Sequence, residues 1–223
     1  MKVLIVLLLS LILAIPASTQ VEIGVFAGPN FANLSGEDAD GEKIDFNSRT
    51  LFKAGVLLEI PIAQNAALCI QPSFFQRGAD FETDGFPNGT ISYALSYLEI
   101  PVHLKYYLTS NELRPYLVIG PTLGFEIDAA ADFSTTGFEG EFSGVDALTE
   151  NTNLSIDVGL GFSYSLSSIN FFIEGYYSPG TMDIYKPGTV ELPGLGELEV
   201  GEADIKPVDI QIIAGIQMPL PTN

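Results

Sequence analysis

The chain contains no tryptophan, one cysteine (Cys69), one histidine (His103) and only nine basic residues among 223. Each shortage removes a class of function. Against 28 Asp and Glu the nine Lys and Arg leave a formal charge of −19. A nucleic-acid binder needs cations to displace phosphate counterions, so that partner is excluded. One cysteine rules out a disulfide framework and a thiolate zinc cage, and one histidine rules out a paired-His metal motif such as HExxH. No serine stands in a GxSxG nucleophile elbow. No catalytic residue, cofactor or metal ligand is therefore expected.

Long apolar runs are also scarce. There is one, from Val3 to Ile15, after Met1 and Lys2 and before Pro16-Ala17-Ser18-Thr19-Gln20. A cationic start, a short greasy run and a small-residue exit predict a secretory signal peptide over residues 1–19, cleaved between Ala17 and Gln20. The run falls short of the ~20 residues a spanning helix needs. Residues 20–223 are then one exported domain with no transmembrane helix.

What the domain does have is alternation. Leu154, Ile156, Val158, Leu160, Phe162 and Tyr164 take every second position, with Asn153, Ser155, Asp157, Gly159, Gly161 and Ser163 between them. One face is apolar and the other polar or small, as in a two-faced strand. The pattern recurs over 208–218 and 116–127. Weaker versions start at Val21, Phe52, Leu68, Leu98 and Phe171, which makes eight predicted strands. Their connections alternate in length. Polar stretches at about 35–49, 78–89, 129–151 and 180–206 alternate with tight turns at 63–65, 109–111 and 165–168. An up-and-down transmembrane barrel with long external loops and short periplasmic turns has this form. The fold expected is all-β, an eight-stranded antiparallel up-and-down transmembrane β-barrel.

The faces decide between membrane and solution. A soluble barrel keeps its apolar face inside, whereas a membrane barrel turns it to lipid and keeps the lumen polar. Ionisable residues stand mid-strand on the polar face, on most of the strands: Glu22, Lys53, Glu59, Arg77, Glu99, Lys105, Arg114, Glu126, Asp157, Glu174 and Asp209. The apolar face carries almost none. About 11 residues at ~3.3 Å, tilted about 40°, cross roughly 28 Å, near the apolar band of an outer membrane. Eight strands enclose a space that side chains fill. The lumen is therefore expected to be solid, with Lys53, Arg77, Lys105 and Arg114 paired to luminal carboxylates. His103 is expected low in that lumen, a hydrogen-bonded filler beside Glu99 and Lys105. Tyr97, Tyr106, Tyr107, Tyr116, Tyr164, Tyr176 and Tyr177 are expected mostly near strand ends as interface residues, with core packing for Tyr116 and Tyr176.

The segment Tyr97-Leu98-Glu99-Ile100-Pro101-Val102-His103-Leu104-Lys105-Tyr106-Tyr107, with Arg114 to Pro121 and the opening Gly24 to Ala32, resembles the PorT-like outer-membrane β-barrel family of Bacteroidetes, a porin-like group. Its most specific part is Leu98-Glu99-Ile100-Pro101. The resemblance spans about residues 21–218. It implies a small outer-membrane barrel of mostly unassigned function, and no catalytic residue comes with it. Barrels of this kind commonly end on an aromatic residue, whereas this chain ends Gln217-Met218-Pro219-Leu220-Pro221-Thr222-Asn223.

The expected partners are outer-membrane lipid and lipopolysaccharide, with a protein or ligand at the acidic external loops as a further option. Asp38-Ala39-Asp40-Gly41-Glu42 resembles part of a calcium loop but lacks the twelve-residue spacing and terminal glutamate. Residues 192–200 suggest a hairpin extending the barrel above the membrane. Three functions fit: a non-enzymatic envelope barrel that is structural or surface-binding, a small-solute porin, and a secreted lipocalin-like barrel with an apolar interior.

Overall fold

The computed structural model describes residues 20–37, 41, 43–44, 46–83, 89–135, 138–141, 148–192, 196–200 and 203–220. The predicted signal segment, residues 1–19, and most of the calcium-like stretch lie outside them. Among the described residues thirteen strands follow one another: β1 (Glu22–Glu37), β2 (Lys43–Ile44), β3 (Asn47–Ala63), β4 (Ala66–Ile70), β5 (Ser73–Thr83), β6 (Gly89–Tyr107), β7 (Leu113–Thr135), β8 (Phe138–Glu141), β9 (Thr152–Leu166), β10 (Ile169–Pro179), β11 (Gly188–Leu192), β12 (Gly196–Val200) and β13 (Asp204–Pro219).

Eight of the positions around the ring match the eight predicted strands, with β4 and β5 together forming the third. The order β1-β13-β10-β9-β7-β6-β4/β5-β3 returns to β1, and each neighbouring pair is antiparallel. Val25 of β1 faces Val56 of β3 on one side and Ile216 of β13 on the other, so the sheet closes on itself. Closure leaves no unpaired edge, as a spanning backbone requires. The third strand breaks at Gln71-Pro72, where proline lacks an N–H for the ladder. Pairing continues across the break: the Val56 amide donates to the Pro72 carbonyl at 3.0 Å, and the Gln71 amide to the Pro101 carbonyl at 3.2 Å.

The apolar face is outside. Val25, Ile119, Val158 and Leu160 are 54%, 53%, 49% and 56% exposed, whereas Lys105, Asp157 and Glu174 on the alternate positions are each 1% exposed. That inversion is the opposite of a lipocalin-like interior.

The external arms differ from the expected loop boundaries. Residues 35–37 still belong to β1, 47–49 to β3, 78–83 to β5, and 129–135 to β7, which goes on to pair with β8. There the inward face packs on the mouth of the barrel, with Ala79 and Ala131 buried. Ladder hydrogen bonds persist while the long outward apolar run that marks the spanning strands in sequence stops. The expected hairpin is present as β11 and β12, a two-stranded sheet of its own that is not paired into the ring. The short turns fall where expected; in the one joining β9 to β10, Ser167 takes a left-handed φ of 57°.

Inward-facing glycines make room for luminal aromatics. A Cβ at Gly161 would lie 2.5–2.7 Å from the ring and hydroxyl of Tyr116. One at Gly215 would lie 2.5 Å from the ring of Phe172. Gly161→Ala must therefore displace Tyr116. We expect it to destabilise the barrel by about 1–3 kcal/mol, the usual cost of overpacking, read as a lowered urea midpoint of the vesicle-inserted protein. An unchanged midpoint would mean the ring moves freely.

Candidate functional site

The lumen is organised as three polar clusters. Nearest the short turns, Lys105 of β6 donates to Glu59 of β3 at 3.1 Å and contacts Glu174 of β10 at 2.6 Å. Glu59 also accepts from the Tyr107 hydroxyl, and Glu174 accepts from Tyr116 at 2.6 Å, from the Gln71 amide at 3.1 Å, and from Tyr176. Cys69 is packed in the same layer, fully buried with Phe172 and Tyr176. Its neighbours explain its presence as a small inward residue.

Higher up, His103 Nε2 lies 2.9 Å from Asp157 of β9, which also accepts from Thr122 at 2.6 Å. The imidazole packs against Tyr176 with ring centroids 5.3 Å apart. The partner of His103 is thus Asp157 on β9, two strands along the ring, while Glu99 and Lys105 flank it on its own strand. Between them on β7 stands Gly120, paired with Asp157 and beside His103, so no side chain separates the imidazole from the carboxylate.

Towards the external end, Lys53 of β3 donates to Glu99 of β6 and to Gln211 of β13, both at 3.0 Å. Arg77 of β5 donates to Asp209 of β13 and Asn153 of β9, both at 2.8 Å, and stands 3.6 Å from Glu99. Its guanidinium lies over the rings of Phe75 and Tyr97 at 5.0 and 5.1 Å. Asn30 of β1 donates to the other oxygen of Asp209 at 2.9 Å. These bonds tie together six of the eight ring strands from within.

Three of the eleven candidate residues stand apart. Arg114 makes no ion pair among the described residues. It donates to Ser165 at 3.5 Å and covers the ring of Tyr107 at 4.9 Å, because it sits at the turn end of β7, below the Lys105 cluster. Glu126 is half-buried near the opposite rim and accepts from Thr149 at 2.7 Å and Tyr97 at 3.4 Å. Glu22 likewise lies at the turn end, accepting from Asn170 at 2.8 Å.

Tyr97 and Tyr107 depart from the interfacial expectation. Both are buried in the lumen, with Tyr116 and Tyr176, whereas Tyr106, Tyr164 and Tyr177 are exposed on the outer wall. Parity was the available signal: 97 and 107 share the inward register of Glu99 and Lys105. Parity also marks the amides that complete the clusters, Asn30, Gln71, Asn153 and Gln211.

Above the polar column the external mouth is closed by apolar packing. Ile184, from the segment after β10, is buried with Phe75, Leu95 and Tyr97, and with Leu34, Ala129 and Ile205 around them. The segment is held by main-chain bonds from Ile184 to the Ile205 carbonyl at 3.0 Å, from Glu150 to the Ile184 carbonyl at 2.9 Å and from Lys186 to the Leu148 carbonyl at 2.9 Å. At its outer edge Lys206 lies 2.8 Å from Asp204 and 3.4 Å from Asp183. Hydrogen bonding to Lys206 holds Asp204 below the ordinary carboxylate range, and the hydrogen bond shared with Asp204 raises Asp183.

A closed ring of antiparallel strands, apolar towards its surroundings and ionic within, is the form of an outer-membrane barrel. The family model described as "Outer membrane protein beta-barrel domain" matches residues 16–186. The chain belongs to that family. This outer membrane β-barrel protein also resembles solved structures. The outer membrane protein OprG from Pseudomonas aeruginosa is 16% identical, with 92% of this chain and 98% of that one covered and a TM-score of 0.57. Neisserial surface protein A is 12% identical over 90% of this chain and 97% of that one, with a TM-score of 0.46. Ail, the attachment invasion locus protein of Yersinia pestis, is 14% identical over 89% and 99%, with a TM-score of 0.40. The likeness to OprG carries the fold alone. No curated protein matches the chain in sequence.

Proposed function

We propose that this protein is a non-enzymatic envelope barrel, closed to solutes, whose external loops meet the surface while its wall serves as a rigid scaffold. The observation that carries this reading is the burial of the luminal side chains. Lys53, Arg77, Glu99, His103, Lys105, Asp157, Glu174 and Asp209 are at most 2% exposed. An aqueous bore would leave such groups wetted. Here they bond one another across the barrel, and the packing around Ile184 covers them from outside.

In this reading the chain is exported by a cleaved signal over residues 1–19 and sits in the outer membrane among phospholipid and lipopolysaccharide. Its acidic loops bind lipopolysaccharide through divalent cations or contact a protein partner. Leu98-Glu99-Ile100-Pro101 supports placing it near the PorT-like barrels within the wider family. Planar bilayers separate this from a small-solute porin. The purified, folded protein should give no discrete conductance steps, and regular steps would replace the scaffold by a pore. Partition into the outer-membrane fraction with heat-modifiable gel migration is expected beside it. Release as a soluble protein on cell breakage without detergent would overturn the membrane assignment.

A further inference from the structure

The outer wall of a small barrel is convex, and its apolar side chains stand about half exposed. One region differs. Where β13, β1 and β3 meet the break between β4 and β5, the wall holds a concavity of about 500 Å³. Its lining is apolar throughout, from Ile23, Val25, Val56, Leu58, Ile70, Pro72 and their neighbours. It has a floor and a rim. Leu58, Ile70 and Pro72 are half-buried, although they face outward, and Ile60 just beyond them is only 7% exposed. Val25, Val56, Ile23 and Met218 stand up around them, 54%, 54%, 40% and 46% exposed. The strand break produces the floor, since Pro72 replaces a ladder donor while Val56 still pairs to its carbonyl.

We infer that this groove seats one hydrocarbon chain of a membrane lipid, in the leaflet on the side of the short turns. Position gives the leaflet: Ile23 pairs with Met218 at the turn end of the closing strands. Chemistry gives the chain. The volume lies within the roughly 300–1,000 Å³ of small-molecule sites, yet the lining offers nothing to orient a head group, and among the described residues no cation lines it. Recognition is therefore by shape. Within a bilayer apolar surfaces gain nothing by leaving water, so binding rests on dispersion contacts, which a concave floor multiplies and a convex wall does not. The groove is continuous with the lipid-facing surface, so a chain enters it without crossing any polar barrier. The inference rests on the membrane reading.

The absence of tryptophan makes the test clean. V56W places a fluorophore on the rim, and L160W places one on the opposite wall at a position exposed to 56%. V25W, on the other rim, serves if V56W does not show heat-modifiable folding. Each folded variant is inserted into phosphatidylcholine vesicles whose acyl chains are brominated at mid-chain. Quenching at the rim should exceed that at L160W about twofold, because a seated chain meets the fluorophore on a surrounded face rather than an open one. Equal quenching at the two walls overturns the groove while leaving the membrane placement intact. Quenching at neither overturns both. Shielding of the groove from brominated chains by a second copy is checked by cross-linking V56C; efficient cross-linking there means a second copy fills the groove and overturns the lipid inference.

Discussion

Arg77→Met should lower the stability of the vesicle-inserted barrel by about 3–5 kcal/mol, because it strands buried carboxylate charge without its partner. Asp209 is 0% exposed and would keep only Asn30 as a donor among the bonds described above. Glu99 would keep Lys53 but lose the guanidinium 3.6 Å away. The methionine also gives up the stacking over Phe75 and Tyr97. Arg77→Lys should rescue little, since one ammonium cannot reproduce the fork that reaches Asp209 and Asn153 together. The informative control is Arg77→Met combined with Asp209→Leu. Replacing both members of a buried pair by apolar groups removes the stranded charge, so the double variant should regain much of the loss. Urea titration of the folded protein, followed by heat-modifiable migration, measures all three. A single variant as stable as the parent would mean that water reaches this part of the lumen, and the sealed-scaffold reading would fail with it.

Val158→Arg tests the other face. Val158 stands 49% exposed on the outer wall, opposite Ile119 of β7 and Tyr177 of β10. A cation there meets hydrocarbon on every side, which costs about 2–4 kcal/mol near the bilayer midplane. The same substitution in a soluble barrel of this geometry would leave the charge in water at almost no cost. Val158→Asp should act in the same direction with a smaller effect. The readout is again the urea midpoint in vesicles, together with the fraction of protein that inserts. Neutral behaviour of the arginine variant would remove the lipid from this wall.

The spanning part of the fold was legible because the bilayer imposes a strict period. Leu154 to Tyr164 alternate without a miss, and all six apolar residues turned out on the lipid side or its edge. Outside the bilayer that constraint lapses. Residues 47–49 carry no apolar residue and 78–83 only Ala79 and Phe81, too short a pattern to mark a strand, yet they extend β3 and β5. Their strand character comes from main-chain pairing, which sequence patterning does not record. The bulge opposite Ser96 and Tyr97 likewise left no sequence mark. There β7 carries Ile127 out of register, so that Glu126 and Ala131 both reach the inner side. Inward residues were legible by parity, but partners were not. Which wall answers which depends on strand stagger around the ring, and that is why His103 meets Asp157.

The seam between β1 and β13 joins the two ends of the domain, Glu22 beside Pro219 and Glu37 beside Asp204. Nothing made earlier on the ribosome can complete the ring. Until the last strand arrives, β1 and β10 each present a row of unsatisfied amides and carbonyls, an open template for pairing with other chains. Assembly is therefore all-or-none in time as well as in space. A polypeptide truncated before Asp204 is a substrate for proteases and aggregation, and the cell must keep the whole chain unfolded until both margins can meet.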